Sequence, residues 1–208
     1  FILIPGDAPG ISRGAELKKT GLAASRNADL ESMEVTVPEA NCVWRGDEGT
    51  FRILSWYYLG IAATASGALL ANYEIIREWG DNRVIKGKDH IFKDNPLTAA
   101  LMGEIAKDTS VVRFLAYNLA AMLAEPDAYG GDGSQALFTA ALMLAHQACV
   151  TAEYVINRTM ELMASAGYAK EWQLERYWRD VKAMQCHLGA YELAKHEFAR
   201  WFYRTVTL

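Results

Sequence analysis

Cysteine is scarce in this chain: three residues in 208, at positions 42, 149 and 186, with no C-x-x-C pair among them. So few, odd in number and widely spaced, they exclude a disulfide framework and imply a reducing, cytoplasmic compartment. Proline is scarce as well, five in all, so long stretches carry nothing that breaks a helix. Basic clusters are missing. With 21 Lys and Arg against 25 Asp and Glu, the net charge is −4, which argues against a nucleic-acid or anionic-membrane surface. No apolar run reaches the roughly 18–20 residues of a membrane span. The longest, around residues 135–150, is interrupted by Gln135, His146 and Gln147. No stretch reads as a signal peptide.

Common chemical signatures are absent too. No Glu has a His three residues later, so the di-iron carboxylate pattern of helical bundles is excluded. His196-Glu197 lacks the second His of a zinc-protease helix, and no metal site is expected. There is no dinucleotide or Walker loop; "YGGDGS" has neither the Lys nor the preceding strand that a phosphate cradle needs.

What is present is a composition that buries a core, 51% hydrophobic and 22% charged. Residues 1–45 read as β: the apolar run "FILIP" closes at Pro5-Gly6, and "ESMEVTVPEAN" alternates Met33, Val35 and Val37 before Pro38. These strands read as the edge of a sheet whose other strands lie outside the sequence. Phe1 stands within an apolar run, so the chain is expected to begin inside a longer protein. From about residue 49 onward everything reads helical, with a first helix expected over 49–79. Phe51, Leu54, Tyr58, Ile61, Ala65 and Leu69 recur at spacings of three and four. Further helices are expected over about 96–125, 134–165 with Ser134 as N-cap, 174–187 and 190–206. The predicted fold is mainly α, an antiparallel helical bundle over 46–208 preceded by an incomplete β fragment. Cys149 and Cys186 read as small buried hydrophobes, and Glu192 with His196, four apart, as a surface ion pair.

The order of "FILIPGDAPGIS", "KKTGLAASRNADLESMEVTVPEAN", "GIAATASG" and "GYAKEWQLERYWRDVK" resembles the C-terminal half of an acyl-CoA dehydrogenase. That resemblance implies the last strands of a middle β domain followed by the C-terminal bundle. It also implies FAD, a fatty acyl-CoA substrate, a carboxylate that removes the α-proton, and hydride transfer from the β-carbon to the flavin. Within the family the base is a Glu just before a Gly that follows the "R-D-x-K" helix. Here that position is Leu188, before Gly189. Some relatives carry the Glu on the first bundle helix instead, where this chain has Tyr57-Tyr58.

The flavin positions have changed as well. Ala190 and Ala194 replace a Thr and a Gln, and Ala164-Ser165 replaces a pair of glycines. The loop that reaches a neighbouring subunit's cofactor reads Arg83-Val84-Ile85-Lys86-Gly87-Lys88. Arg83, Gly87, Ser165 and Gly189 are the cofactor-binding candidates that the resemblance leaves.

A kept scaffold with an erased site leads to the expectation of a non-catalytic subunit in a homo- or hetero-oligomer, a tetramer or dimer of dimers, whose partner chain supplies FAD and base at an acyl-CoA site. One alternative is a flavin enzyme of altered chemistry, desulfinase- or monooxygenase-like. Another is a dehydrogenase whose base has moved, with Glu192 as candidate. "ERYWRDVK" is expected to form ion pairs at the bundle's end, and His187, beside the base position, is an acid–base candidate.

Overall fold

The computed structural model describes residues 1–87, 91–187 and 190–203. The fold is mainly helical. Helix α1 spans Gly46–Asn82, α2 Pro96–Ala124, α3 Gln135–Met163, α4 Leu174–Met184 and α5 Ala190–Tyr203. Along α1 the buried residues are Ser55, Tyr58, Ala62, Ala65, Leu69, Asn72 and Ile76, a stripe with steps of three and four that faces α3. Phe51, Leu54 and Ile61 flank it, half-buried. α3 answers with Ala141, Ala145, Ala148 and Ala152, all buried. Methyl-sized side chains on both sides let the two backbones approach closely, and α1 packs more extensively on α3 than on any other element.

Within that apolar seam sits a buried hydrogen bond. Asn72 Nδ2 donates to Thr159 Oγ1 at 2.9 Å, and the same hydroxyl donates to the Val155 carbonyl at 3.1 Å. Both side chains are wholly buried. Helix ends follow the expected chemistry: Asn95 Oδ1 accepts from the Leu97 N–H ahead of Pro96, and Ser134 Oγ accepts from the Leu137 N–H.

The β fragment departs from its sequence reading. The strands are β1, Ile11–Glu16, and β2, Ala28–Ser32, an antiparallel pair with Ile11 opposite Ser32 and Arg13 opposite Leu30. "FILIP" contributes only the bridge between Ile2 and Cys42. The alternating stretch 33–37 is not a strand; Glu34 turns it with φ 50°. The physical reason is exposure. Every residue of β1 and β2 except Ile11 is exposed, so the real strands carry no buried face to imprint a period of two.

A second correction concerns hydropathy. α1, and α3 continued to Tyr168, each contain an 18-residue window apolar enough to cross a membrane, although neither is an unbroken apolar run. Half of the α3 window is buried in the bundle, as a core helix requires.

The charged segment of α4 fastens the N-terminal part to the bundle. Asp180 Oδ1 accepts the Leu22 N–H at 2.6 Å, and the Arg179 guanidinium donates to the Thr20 carbonyl. Glu175 steadies Arg179 through an ion pair at 2.7 Å. Gly21 lies so close that a Cβ there would overlap the carbonyl of Arg179. The expected ion pair is present, but Asp180 serves the backbone of another segment rather than a second charge.

Replacing Thr159 by Val keeps the volume and strands the Asn72 amide. We expect the unfolding free energy to fall by about 1–3 kcal/mol, read by denaturant titration. Gly21→Ala is expected to release the 20–22 segment from α4, read as faster amide exchange at Leu22.

Candidate functional site

α1, α3, the end of α4 and α5 enclose a cavity of about 450 Å³. Leu54 and Ile61 from α1, Phe138 and Leu142 from α3, and Leu193 from α5 form apolar walls. Its polar lining is His146, Gln185, His187, His196 and Glu197, which includes three of the chain's four histidines. Cys149 also lines it. That thiol is 3% exposed, and burial pushes its pKa up to about 12, so it stays protonated and unreactive.

Two side chains 130 residues apart meet beside this cavity. Tyr57 Oη lies 2.6 Å from His187 Nδ1, with ring centroids 6.0 Å apart. Burial, and then Cys149, raise the Tyr57 pKa, so the phenol keeps its proton. The phenol can donate to Nδ1, the arrangement in which the ring's own proton sits on Nε2. Tyr57 meets Tyr58 edge-on at 5.6 Å, and Tyr58 leans on Phe138.

The approach to His187 is pinned from α3. Gln185 Nε2 donates to Glu153 Oε2 at 2.7 Å and to the Cys149 carbonyl at 3.3 Å. Lys182 pairs with Glu153 at 3.0 Å. His187 leaves α4 through the turn these contacts hold.

The sequence-derived candidates divide. Leu188 and Gly189 lie outside the described residues, as does Lys88. Glu192 does not line the cavity; its side chain is 71% exposed and pairs with Lys195 at 2.8 Å, not with His196. His196 Nδ1 instead lies 3.7 Å from Glu197. Glu197 is the carboxylate that does line the cavity, and Arg200 holds it at 3.0 Å. Sequence reasoning placed Tyr57 at the alternative base position without pairing it with His187, and gave Glu197 no role at a site. The available signal was that the family's two base positions serve one reaction and must therefore be close in space. Cys186, expected to be buried, is exposed, because it stands on the turn after α4 rather than within a helix.

The flavin candidates do not converge in this chain. Arg83 ends α1 with its guanidinium over the Trp79 ring, 5.9 Å from the centroid. Gly87 turns with φ 80° in open space. Ser165 belongs to the 3-10 turn Ala164–Tyr168. None of the three lines this cavity or the open one beside Phe1, Pro38 and Trp44. Ala164 nevertheless holds φ 51° and ψ −130°, a glycine conformation occupied by a residue with a Cβ. Among the described residues, no group of three or more His, Cys, Asp or Glu is placed to hold a metal ion.

Comparison with known proteins fits this geometry. The sequence pattern of the acyl-CoA dehydrogenase C-terminal domain matches residues 52–202, nearly the whole bundle. The chain belongs to the acyl-CoA dehydrogenase family. Acryloyl-CoA reductase (NADH) of Anaerotignum propionicum is 27% identical over 209 residues, covering 96% of this chain and 49% of that protein. Cyclohexane-1-carbonyl-CoA dehydrogenase of Geobacter metallireducens is 23% identical, with 96% and 51% covered. Butyryl-CoA dehydrogenase of Megasphaera elsdenii superposes with a TM-score of 0.84 at 22% identity, over 98% of this chain and 51% of that one; this likeness shows the fold. The chain thus spans about half the length of the curated acyl-CoA dehydrogenase-type relatives it matches.

Iodoacetamide at pH 8 is expected to label Cys186 and spare Cys149 until the protein is unfolded, as read by peptide mass spectrometry. Because the unfolded thiol ionises near 8.5 and the folded one near 12, the unfolded state sheds its proton first. Stability is therefore expected to fall as pH rises above about 8.5, by up to ~1.4 kcal/mol per unit, and Cys149→Ala should lack that slope. Ala164→Gly relieves the strained backbone and is expected to add about 1 kcal/mol of stability after glycine's entropy cost, measured by thermal melting.

Proposed function

We propose that this chain is the bundle of an acyl-CoA dehydrogenase-type flavoprotein assembly, in which it acts as a scaffold and does not supply the carboxylate that removes an α-proton. One observation carries the reading. Where the family places its base, this chain has Leu188 in sequence, and the group brought to the alternative position, Tyr57, is hydrogen-bonded to His187 at 2.6 Å. The phenol–imidazole contact supports a site that works without the family's carboxylate. The dispersed positions of Arg83, Gly87 and Ser165 support FAD held with, or by, a partner chain.

The exposed face of α2 supports an oligomer. Leu97, Val111, Phe114 and Tyr117 are 77%, 49%, 75% and 66% exposed, more apolar surface on one helix than water favours. The three unpaired cysteines suit a reducing, cytoplasmic compartment. A CoA thioester is the ligand class we assign to the assembly, on the strength of the family and the relatives' activities.

A second reading is favoured by the same pair: a flavin enzyme of altered chemistry on this fold, using Tyr57 and His187 in place of a carboxylate. Purification from the native source separates the two. Flavin absorbance that tracks a second, Glu-bearing chain identified by mass spectrometry is the outcome expected for the scaffold. Stoichiometric flavin on the full-length parent of this polypeptide alone would sink the scaffold reading and leave the second. In the flavin-loaded parent, Leu188→Glu is then expected to create or raise acyl-CoA oxidation, followed by dye reduction.

A further inference from the structure

The polar lining of this cavity combines one carboxylate, Glu197, which only accepts hydrogen bonds, with His187, which can donate. His187 lines the cavity and Tyr57 does not. With Nδ1 engaged by the Tyr57 hydroxyl at 2.6 Å, the ring has one remaining polar atom, Nε2. Its backbone is steadied by Gln185, which bonds Glu153 and the Cys149 carbonyl two residues earlier in the turn. Leu54, Ile61, Phe138 and Leu142 line the same cavity. A volume of about 450 Å³ falls in the range of small-molecule sites, roughly 300–1,000 Å³, which combine apolar walls with a few placed polar groups.

We propose that His187, oriented by Tyr57, donates its Nε2–H to the carbonyl oxygen of an acyl thioester whose apolar chain lies along the cavity. The inference rests on the assignment of CoA thioesters to the assembly and holds under either reading of its chemistry. His187 is then the group that touches the ligand. Tyr57 is a positioning residue: it occupies Nδ1 and so commits the ring proton to Nε2. His187 is exposed in this chain, so the bond draws electron density onto the carbonyl oxygen more strongly than in water once the bound acyl chain excludes solvent. A scaffold subunit would thereby anchor the thioester. An enzyme of altered chemistry would also polarise it.

The test uses the native assembly with hexanoyl-CoA labelled with ¹³C at the carbonyl. Calorimetry establishes binding, and infrared difference spectra report the carbonyl. In the wild-type protein the bound band is expected to shift to lower wavenumber, with the component contributed by this chain lost in His187→Phe. Tyr57→Phe should reduce that component by freeing Nδ1, and His187→Gln, whose amide can donate, should restore part of it. Loss of the donor is expected to weaken binding about 2- to 10-fold. Nitrogen-15 shifts of the imidazole provide an independent readout, expected to show the Nε2–H tautomer and its erosion in Tyr57→Phe. A thioester that binds with the same infrared shift in His187→Phe, or a ring found in the Nδ1–H tautomer, overturns the inference while leaving the thioester assignment standing. Absence of binding to the wild-type assembly removes both.

Discussion

The close approach of α1 and α3 is the constraint on which the other features rest. It depends on alanines meeting alanines across the seam, Ala62 and Ala65 against Ala141, Ala145, Ala148 and Ala152, all buried. Such a seam is nearly featureless, and methyl-sized contacts tolerate sliding. The Asn72–Thr159 hydrogen bond resists it, because a shift of one turn would bury an amide with no partner, at a penalty of a few kcal/mol. Register between the two helices follows, and with it the positions of Tyr57 on one and Cys149 and Glu153 on the other. The remaining helices read their places from that pair. α4 is tied to α3 through Lys182, Gln185 and Glu153, and the cavity is the space left where α5 closes over the same seam.

The charged motif of α4 shows how a residue pattern can be kept for structure while chemistry changes beside it. Arg179 and Asp180 bind backbone groups at Thr20 and Leu22, a span of some 160 residues in sequence, and Gly21 permits the contact by having no side chain. That joint holds the end of the β fragment to the bundle whether or not a base stands at residue 188. A few residues further along, the requirement is purely chemical, and there the acyl-CoA dehydrogenase pattern gives way to His187-Leu188. A helix end anchored by Gln185 and Glu153 still delivers residue 187 to the cavity. An imidazole there can donate a hydrogen bond, where a carboxylate only accepts.

Much of this was legible along the chain. Helix limits followed from local rules, since an Asn or Ser N-cap, a Pro in the first turn and Glu125-Pro126 act within four residues of themselves. The three-and-four spacing of α1 found Tyr58, Ala65 and Leu69 of its buried stripe, with Phe51, Leu54 and Ile61 at the stripe's half-buried edge. The β fragment was misplaced for the complementary reason. Strands exposed on both faces write no alternation, and the stretch that did alternate, Met33 to Val37, is bent at Glu34. Contiguity also misled in judging α1 and α3, whose hydropathy is that of core helices even though polar residues interrupt them.

By itself the sequence determined the helical bundle and the family, since each is a property of neighbouring residues or of a pattern along one chain. Tertiary structure alone decided that Tyr57 meets His187, that Glu197 rather than Glu192 faces the cavity, and that Asp180 binds a backbone amide instead of a cation. Each of those outcomes turns on the rotation and register of helices far apart in sequence. Those are set by the collective packing of the α1–α3 seam, and no local pattern encodes them.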